Sequence, residues 1–170
     1  MVDLSPAKRL RKGRLNAMAL PDLQALLCRA GAGMSVRDEI LAANLAFYRA
    51  FESLDLREME KLWLREPGIL CIHPGWGRLA GWGPIMASWE RIFESTFDIK
   101  FDLAEPSIRT SGDLALVVVE ESVIQRGYDG ALKAQVLTTN AFHHVADGWL
   151  MVLNHGSPIV APVSEQSTLQ

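Results

Sequence analysis

Two cysteines, Cys28 and Cys71, are all that the 170 residues contain. They are too few and too unpatterned for a disulfide framework or a zinc site. Cys71 falls in an apolar stretch and is expected as a small buried residue. Long hydrophobic runs are missing too: the longest, Leu114 to Val119, has six residues, far short of the ~20 that a membrane-spanning helix needs. The basic N-terminal stretch lacks an apolar core and a small-residue cleavage site, so no secretory signal is expected and a reducing cytoplasm fits best. Neither sign of charge dominates, with a formal net charge of −3. What remains, 49% hydrophobic and 22% charged, is ordinary globular composition at about the length of one domain.

The small net charge conceals an asymmetry. Residues 1–33 carry Lys8, Arg9, Arg11, Lys12, Arg14 and Arg29 against Asp3 and Asp22, a net of +4, which leaves −7 for the remainder. A cluster such as Lys8–Arg14 has the charge to meet nucleic acid or an acidic membrane. The acidic remainder argues against nucleic acid, since phosphate contacts supply most of that affinity. The expected organisation is a basic, poorly ordered leader at 1–33, one domain at 34–158 and a flexible tail at 159–170. No nucleic-acid or membrane partner is expected.

The domain opens on Ser35-Val-Arg-Asp38, a helix N-cap pattern. A helix is predicted from Val36 to Leu54, with Ile40, Phe47, Tyr48 and Phe51 on one apolar face. Asp55-Leu-Arg-Glu58 caps a second helix striped by Leu56, Met59, Leu62 and Trp63, which Pro67-Gly68 should stop. A short buried strand at Ile69–His73, a Pro74-Gly75 turn and a brief strand near Arg78–Ala80 follow. Gly83-Pro84 should open a third helix with Pro at its first position, lined by Ile85, Trp89, Ile92 and Phe93. From Phe97 the pattern becomes extended. Asp98–Arg109 is interrupted by Pro106, and Leu114–Arg126, Ala131–Val145 and Trp149–His155 are separated by the turns Gly127–Gly130 and Ala146-Asp147-Gly148. Helices followed by consecutive hairpins predict an α+β domain with an antiparallel sheet.

Five segments in this order carry a resemblance: Ala46-Phe-Tyr-Arg-Ala-Phe51, Leu70-Cys-Ile-His-Pro-Gly-Trp76, Ile85-Met-Ala-Ser-Trp89, Thr139-Asn-Ala-Phe142 and Gly148-Trp…His155-Gly-Ser-Pro158. The chain resembles the SnoaL-like branch of the NTF2-like superfamily over residues 36–158. The resemblance implies a cone in which N-terminal helices close a strongly curved sheet around a mostly apolar pocket. It implies no single activity, because steroid isomerases, epoxide hydrolases, dehydratases, polyketide cyclases and non-catalytic binders share that fold.

Strand alternation puts Thr138, Asn140, Phe142 and His144 on one side of their strand, and the resemblance implies that Asn140 faces the pocket. On the preceding strand the face of Leu116, Val118, Glu120 and Ser122 is taken as inward. His73 ends a buried strand where the isomerases that the chain resembles carry an aspartate base, and a neutral imidazole there can move a proton near pH 7. A core histidine bonded to a neighbour would occupy the same place. Asn140 matches the position of an acid that donates to an enolate oxygen; a simple polar orienter of ligand fits there equally. His73 and Asn140 are the candidate catalytic pair, although both depart from the isomerase residues and Phe47 falls near where that family has a tyrosine donor. No Asp-Arg-Asp set of the epoxide-hydrolase kind is present on the pocket strands.

Tyr48, Trp63, Trp76, Trp89, Phe93 and Phe142 are expected to build an aromatic wall for a flat or apolar ligand, joined by Glu120 and His155, a carboxylate–imidazole pair if both point inward and a partly exposed cavity rim otherwise. Adjacent His143 and His144 point to opposite strand faces and cannot easily share an ion. No metal and no cofactor are expected. The leading expectation is a pocket for a small apolar organic molecule with isomerase-, dehydratase- or cyclase-type chemistry. A binding module without turnover, and an interaction domain dimerising through the outer sheet face, are its rivals.

Overall fold

The computed structural model describes residues 33–146 and 148–160; most of the predicted leader and the tail beyond Val160 lie outside the described residues. Helix α1, Val36–Ser53, starts at Ser35, whose Oγ accepts the Asp38 N–H at 3.2 Å, with Asp38 and Glu39 in its first turn. Such a cap and acidic first turn satisfy an orphan donor and favour the helix dipole. The helix buries Ile40, Asn44, Phe47 and Tyr48. It ends at Leu54, a left-handed residue with φ 54°, which costs about 1–2 kcal/mol for a side chain with a Cβ. That turn delivers the chain directly to Asp55, whose Oδ1 accepts from the N–H groups of Arg57 and Glu58 and starts α2, Leu56–Leu62.

Two helix boundaries differ from expectation. Helix α2 ends at Leu62, five residues before Pro67, because Trp63 turns extended and bridges to Met151 while Leu64 N–H bonds the Met151 carbonyl at 3.0 Å. Burial of the Trp63 side chain outweighs another helical turn. Helix α3, Trp82–Ser95, begins at Gly81 with φ 83°, so Pro84 is its third residue. Proline is tolerated anywhere in a first turn whose N–H groups have no helical acceptor.

The strands among the described residues are β1 Leu70–Ile72, β2 Leu79–Ala80, β3 Thr96–Leu103, β4 Ser107–Ser111, β5 Leu114–Gly127, β6 Gly130–Val145 and β7 Gly148–Pro158. These seven form one sheet in the order β2-β1-β7-β6-β5-β3, with β4 also beside β5. Pro106 divides the one strand expected at 98–109 into β3 and β4, which cover successive halves of the same edge of β5. The sheet is antiparallel except where β1 runs parallel to β7, so it is mixed. No helix among the described residues is long and apolar enough to cross a membrane.

The face of β5 is the principal correction. Ala115, Val117, Val119, Glu121 and Val123 are buried against the helices, whereas Leu116, Val118 and Glu120 face outward. The tight turn explains it. Gly127 pairs with Gly130, so each even-numbered residue of β6 stands opposite an odd-numbered residue of β5 and shares its face. With Thr138, Asn140 and Phe142 inward, Val119, Val117 and Ala115 must be inward too.

Candidate functional site

Between the helices and the inner face of the sheet lies a cavity of about 360 Å³, within the usual range for small-molecule sites. Phe47 and Phe51 from α1 and Trp89 from α3 form its apolar wall. His73 and Trp76 come from the chain after β1, and Glu121, Thr138 and Asn154 from the sheet.

His73 is 4% exposed. Its ring lies edge-on to Trp89 at 4.6 Å and to Trp76 at 5.0 Å. The backbone behind it is clamped: Trp76 N–H bonds the His73 carbonyl at 2.9 Å, and a Cβ on Gly156 would meet Pro74 at 2.9 Å. Glycine is required there by this close approach, not by its conformation. Nε2 lies 2.8 Å from Ser88 Oγ, and the single Ser88 hydroxyl proton is donated to the Ile85 carbonyl at 2.6 Å. Both bonds are satisfied only if Nε2–H donates to Ser88, so the hydrogen bonds assign the tautomer and leave the lone pair on Nδ1. Cys71 Sγ lies 3.8 Å from Nδ1 and 3.7 Å from Nε2, too far for a strong bond to either. Burial lowers the His73 pKa to about 4, and burial pushes the Cys71 thiol up to about 12. The imidazole is therefore neutral and the thiol protonated at pH 7.

Glu121 is the functional candidate that sequence reasoning missed. It lines the cavity at 6% exposure and accepts a hydrogen bond from the Tyr48 hydroxyl. Burial raises its pKa, although hydrogen bonds from Thr138 and Tyr48 act in the opposite direction. The Tyr48 pKa is also well raised, first by burial and then by the Glu121 charge. Tyrosine thus stands one residue after Phe47, near which the resemblance implies a tyrosine donor.

Asn140 is fully buried and does not line the cavity. Its Nδ2 donates to Asn44 Oδ1 and its Oδ1 accepts from Asn154 Nδ2, both at 2.8 Å, and it also reaches the Tyr48 hydroxyl. Asn140 therefore holds two cavity residues, Tyr48 and Asn154, instead of facing a ligand. Of the expected aromatic wall, Tyr48, Trp76 and Trp89 line the cavity. Trp63, Phe93 and Phe142 belong to the core around it. Phe93 forms a second layer behind Trp89, at 5.9 Å between rings. Glu120 and His155 stand on the outer face, exposed, and form no pair at a cavity rim. Among the described residues no group of three or more His, Cys, Asp or Glu side chains is placed to hold a metal.

The His73 shift makes a stability prediction. Its folded pKa lies below the ordinary 6.5, so its contribution is fully present above pH 6.5 and is lost as pH falls through about 4. Between those limits the unaltered chain should lose up to about 3 kcal/mol relative to a His73→Asn variant. Glu121, with a raised folded pKa, runs the other way: its stability is full below 4.5 and fades as pH rises through the folded value. Urea unfolding of both proteins at pH 7 and pH 4 isolates the histidine. Parallel losses in the two proteins would mean that His73 is charged in the fold.

The SnoaL-like domain family matches the chain over residues 40–162. A Streptomyces avermitilis protein of the NTF2-like family, provisionally designated a dehydratase, is 33% identical with a TM-score of 0.69, covering 73% of this chain and 96% of its own. A provisionally designated calcium/calmodulin-dependent protein kinase type II association domain from Thiobacillus denitrificans is also 33% identical, with a TM-score of 0.63, covering 70% and 94%. An NTF2-like superfamily protein from Salmonella enterica shares the fold at 20% identity and a TM-score of 0.68, covering 78% and 96%. No curated protein matches the chain.

Proposed function

This chain belongs to the SnoaL-like domain family, and we propose that its cavity binds a small, largely apolar organic molecule and performs cofactor-free acid–base chemistry on it. One observation carries the reading: a neutral imidazole with a free Nδ1 and a buried carboxyl of raised pKa share one apolar cavity. A histidine that burial holds neutral and a carboxyl that burial biases toward its protonated form can serve as base and acid. In a dehydration, Nδ1 of His73 takes the proton from carbon, the C–H electrons form the new C=C bond, and the C–O bond breaks. Glu121 gives its proton to the departing hydroxyl, which leaves as water. The Glu121 carboxylate so formed stabilises the His73 imidazolium in the low-dielectric cavity, and proton return from His73 to Glu121 restores both. Isomerisation or cyclisation uses the same two groups without loss of water. The dehydratase designation of the Streptomyces relative favours the first.

Native purification followed by mass spectrometry of the retained small molecule tests the proposal, with that molecule then incubated in D₂O. Conversion, or deuterium entering at carbon, supports it. Tight retention with neither selects the non-catalytic binding module.

The association-domain designation of the Thiobacillus relative favours a second role, self-assembly, which we propose runs through the outer sheet face. Leu114, Leu116, Val118 and Leu137 are exposed there, a patch that invites cover. Arg109 neighbours Leu116 across the β4–β5 ladder, and Glu120 lies two residues beyond Val118. A two-fold axis at Val118 brings Leu116 and Arg109 of one copy to Glu120 of the other, and the reverse, as an isologous interface requires. Light scattering at micromolar concentration should give twice the 18.8 kDa chain mass, and Val118→Asp should halve it. A mass of one chain in the unaltered protein defeats this proposal.

A further inference from the structure

The inner face of the sheet outruns its helical cover. Along β6, Val136 is 5% exposed, Ala134 is half-buried, and Leu132 on the same face is 59% exposed. All three line the cavity. Leu132 also lines a second hollow, of about 440 Å³, at the β5–β6 turn. Ser95 and Gln125 are shared by the two hollows in the same way. The cavity therefore continues past the end of α3 as an open groove.

Close packing fixes the floor of that groove. Gly127 pairs with Thr96 across the β3–β5 ladder, and a Cβ on Gly127 would lie 2.6 Å from the Ser95 carbonyl oxygen. Only glycine lets the strand come so near the last residue of α3. Gln125 is anchored there as well. Its Nε2 donates to Thr96 Oγ1 at 2.7 Å, and Thr96 Oγ1 donates to the Ile92 carbonyl at 2.7 Å. With its one proton on Ile92, the threonine oxygen can only accept from Gln125, which assigns the amide. Gln125 Oε1 is then an acceptor that has no hydrogen bond among the described residues. Asp129 adds a carboxyl, and neither lysine nor arginine is among the described residues lining the groove.

We infer that the molecule held in the cavity is longer than the cavity: an apolar chain crosses Leu132 and ends in a hydroxyl that donates to Gln125 Oε1. The apolar body inside is the one proposed above, and the inference rests on that reading. Continuity favours a ligand as the occupant. The groove opens from the cavity on the inner face, whereas the contact proposed between copies lies on the outer face at Val118. One elongated molecule covers the exposed leucine and pairs the acceptor together.

Three probes sharing a naphthalene body test this by calorimetric titration into the full chain: 2-methoxynaphthalene, 2-hexyloxynaphthalene and 2-(6-hydroxyhexyloxy)naphthalene. The hydroxyl-ended probe should bind at least about 10-fold tighter than the methoxy probe, through the methylenes that it buries. It should bind no weaker than the hexyloxy probe, although water holds its hydroxyl better. Amide chemical shifts of Gln125–Leu132 should move with the two long probes, and those near His73 and Glu121 with all three. Leu132→Asp, at an exposed position where substitution is tolerated, should cut the ratio between the hydroxyl-ended and methoxy probes to below about 3-fold. Tighter binding of the hexyloxy probe overturns the hydroxyl end. Equal affinities of the methoxy and hydroxyl-ended probes, with His73 signals shifted, overturn the groove and leave the pocket reading intact. No shift near His73 or Glu121 with any probe overturns both. A lower light-scattering mass for Leu132→Asp than for the unaltered chain gives the groove to a second copy and overturns the inference.

Discussion

His73→Asn should leave the protein folded and lower turnover of its substrate by about 10²–10⁴-fold, the usual contribution of a positioned acid–base group. Asparagine is close to histidine in volume, and its amide can still donate to Ser88 Oγ, which accepts from Nε2 at 2.8 Å in the native site. What it cannot supply is the basic lone pair held on Nδ1. The effect should fall on kcat with KM little changed, because the apolar walls that bind the ligand are untouched. A purely structural His73 gives the opposite pair of results: stability falls by about 1–3 kcal/mol through the lost buried hydrogen bond, and turnover survives. A variant that is destabilised yet fully active ends the catalytic proposal for this residue.

Asn140→Ala should damage the fold more than the chemistry. Its amide is the centre of a buried ladder in which Asn154 Nδ2 donates to Asn140 Oδ1 and Asn140 Nδ2 donates to Asn44 Oδ1. Truncation orphans Asn44 Oδ1 in the core and Asn154 Nδ2 at the cavity wall at once. At about 1–3 kcal/mol for each orphan, the expected loss is about 2–6 kcal/mol, a fall in Tm on the order of 10 °C for a chain of this size. Thermal denaturation measures it. Unchanged melting with abolished turnover would return Asn140 to direct contact with the reacting molecule.

Much of the fold was legible because its signals are local. Ser35 and Asp55 cap helices with their own side chains, and the Gly127–Gly130 turn lies within four residues. The expected helix from Val36 and the three long strands appear within a few residues of their predicted bounds. The errors arose where a distant partner decides. Trp63 leaves its helix for Met151, and nothing near residue 63 announces that strand.

The inward face of β5 was a different kind of error, since the information was present. Asn140 inward and a two-residue turn between Gly127 and Gly130 are compatible only with Val117, Val119 and Glu121 inward. That parity points Glu121, not Glu120, toward the cavity. Local apolarity could not make the choice, because Leu116 and Val118 read as well as Val117 and Val119.

By itself, the sequence determined the order of elements, their caps and turns, the family, and His73 at the end of a buried strand. Each of these depends on neighbours within about a helical turn or on alternation along one strand. Only the tertiary structure decided that Tyr48 meets Glu121, that Ser88 holds the Nε2 side of His73, and that Asn140 bonds Asn44 and Asn154 instead of facing the cavity. Those pairs join residues 14 to 96 positions apart. A hydrogen bond needs its partners placed to within a few tenths of an ångström, and that precision comes from packing helices on a registered sheet, which no local pattern encodes.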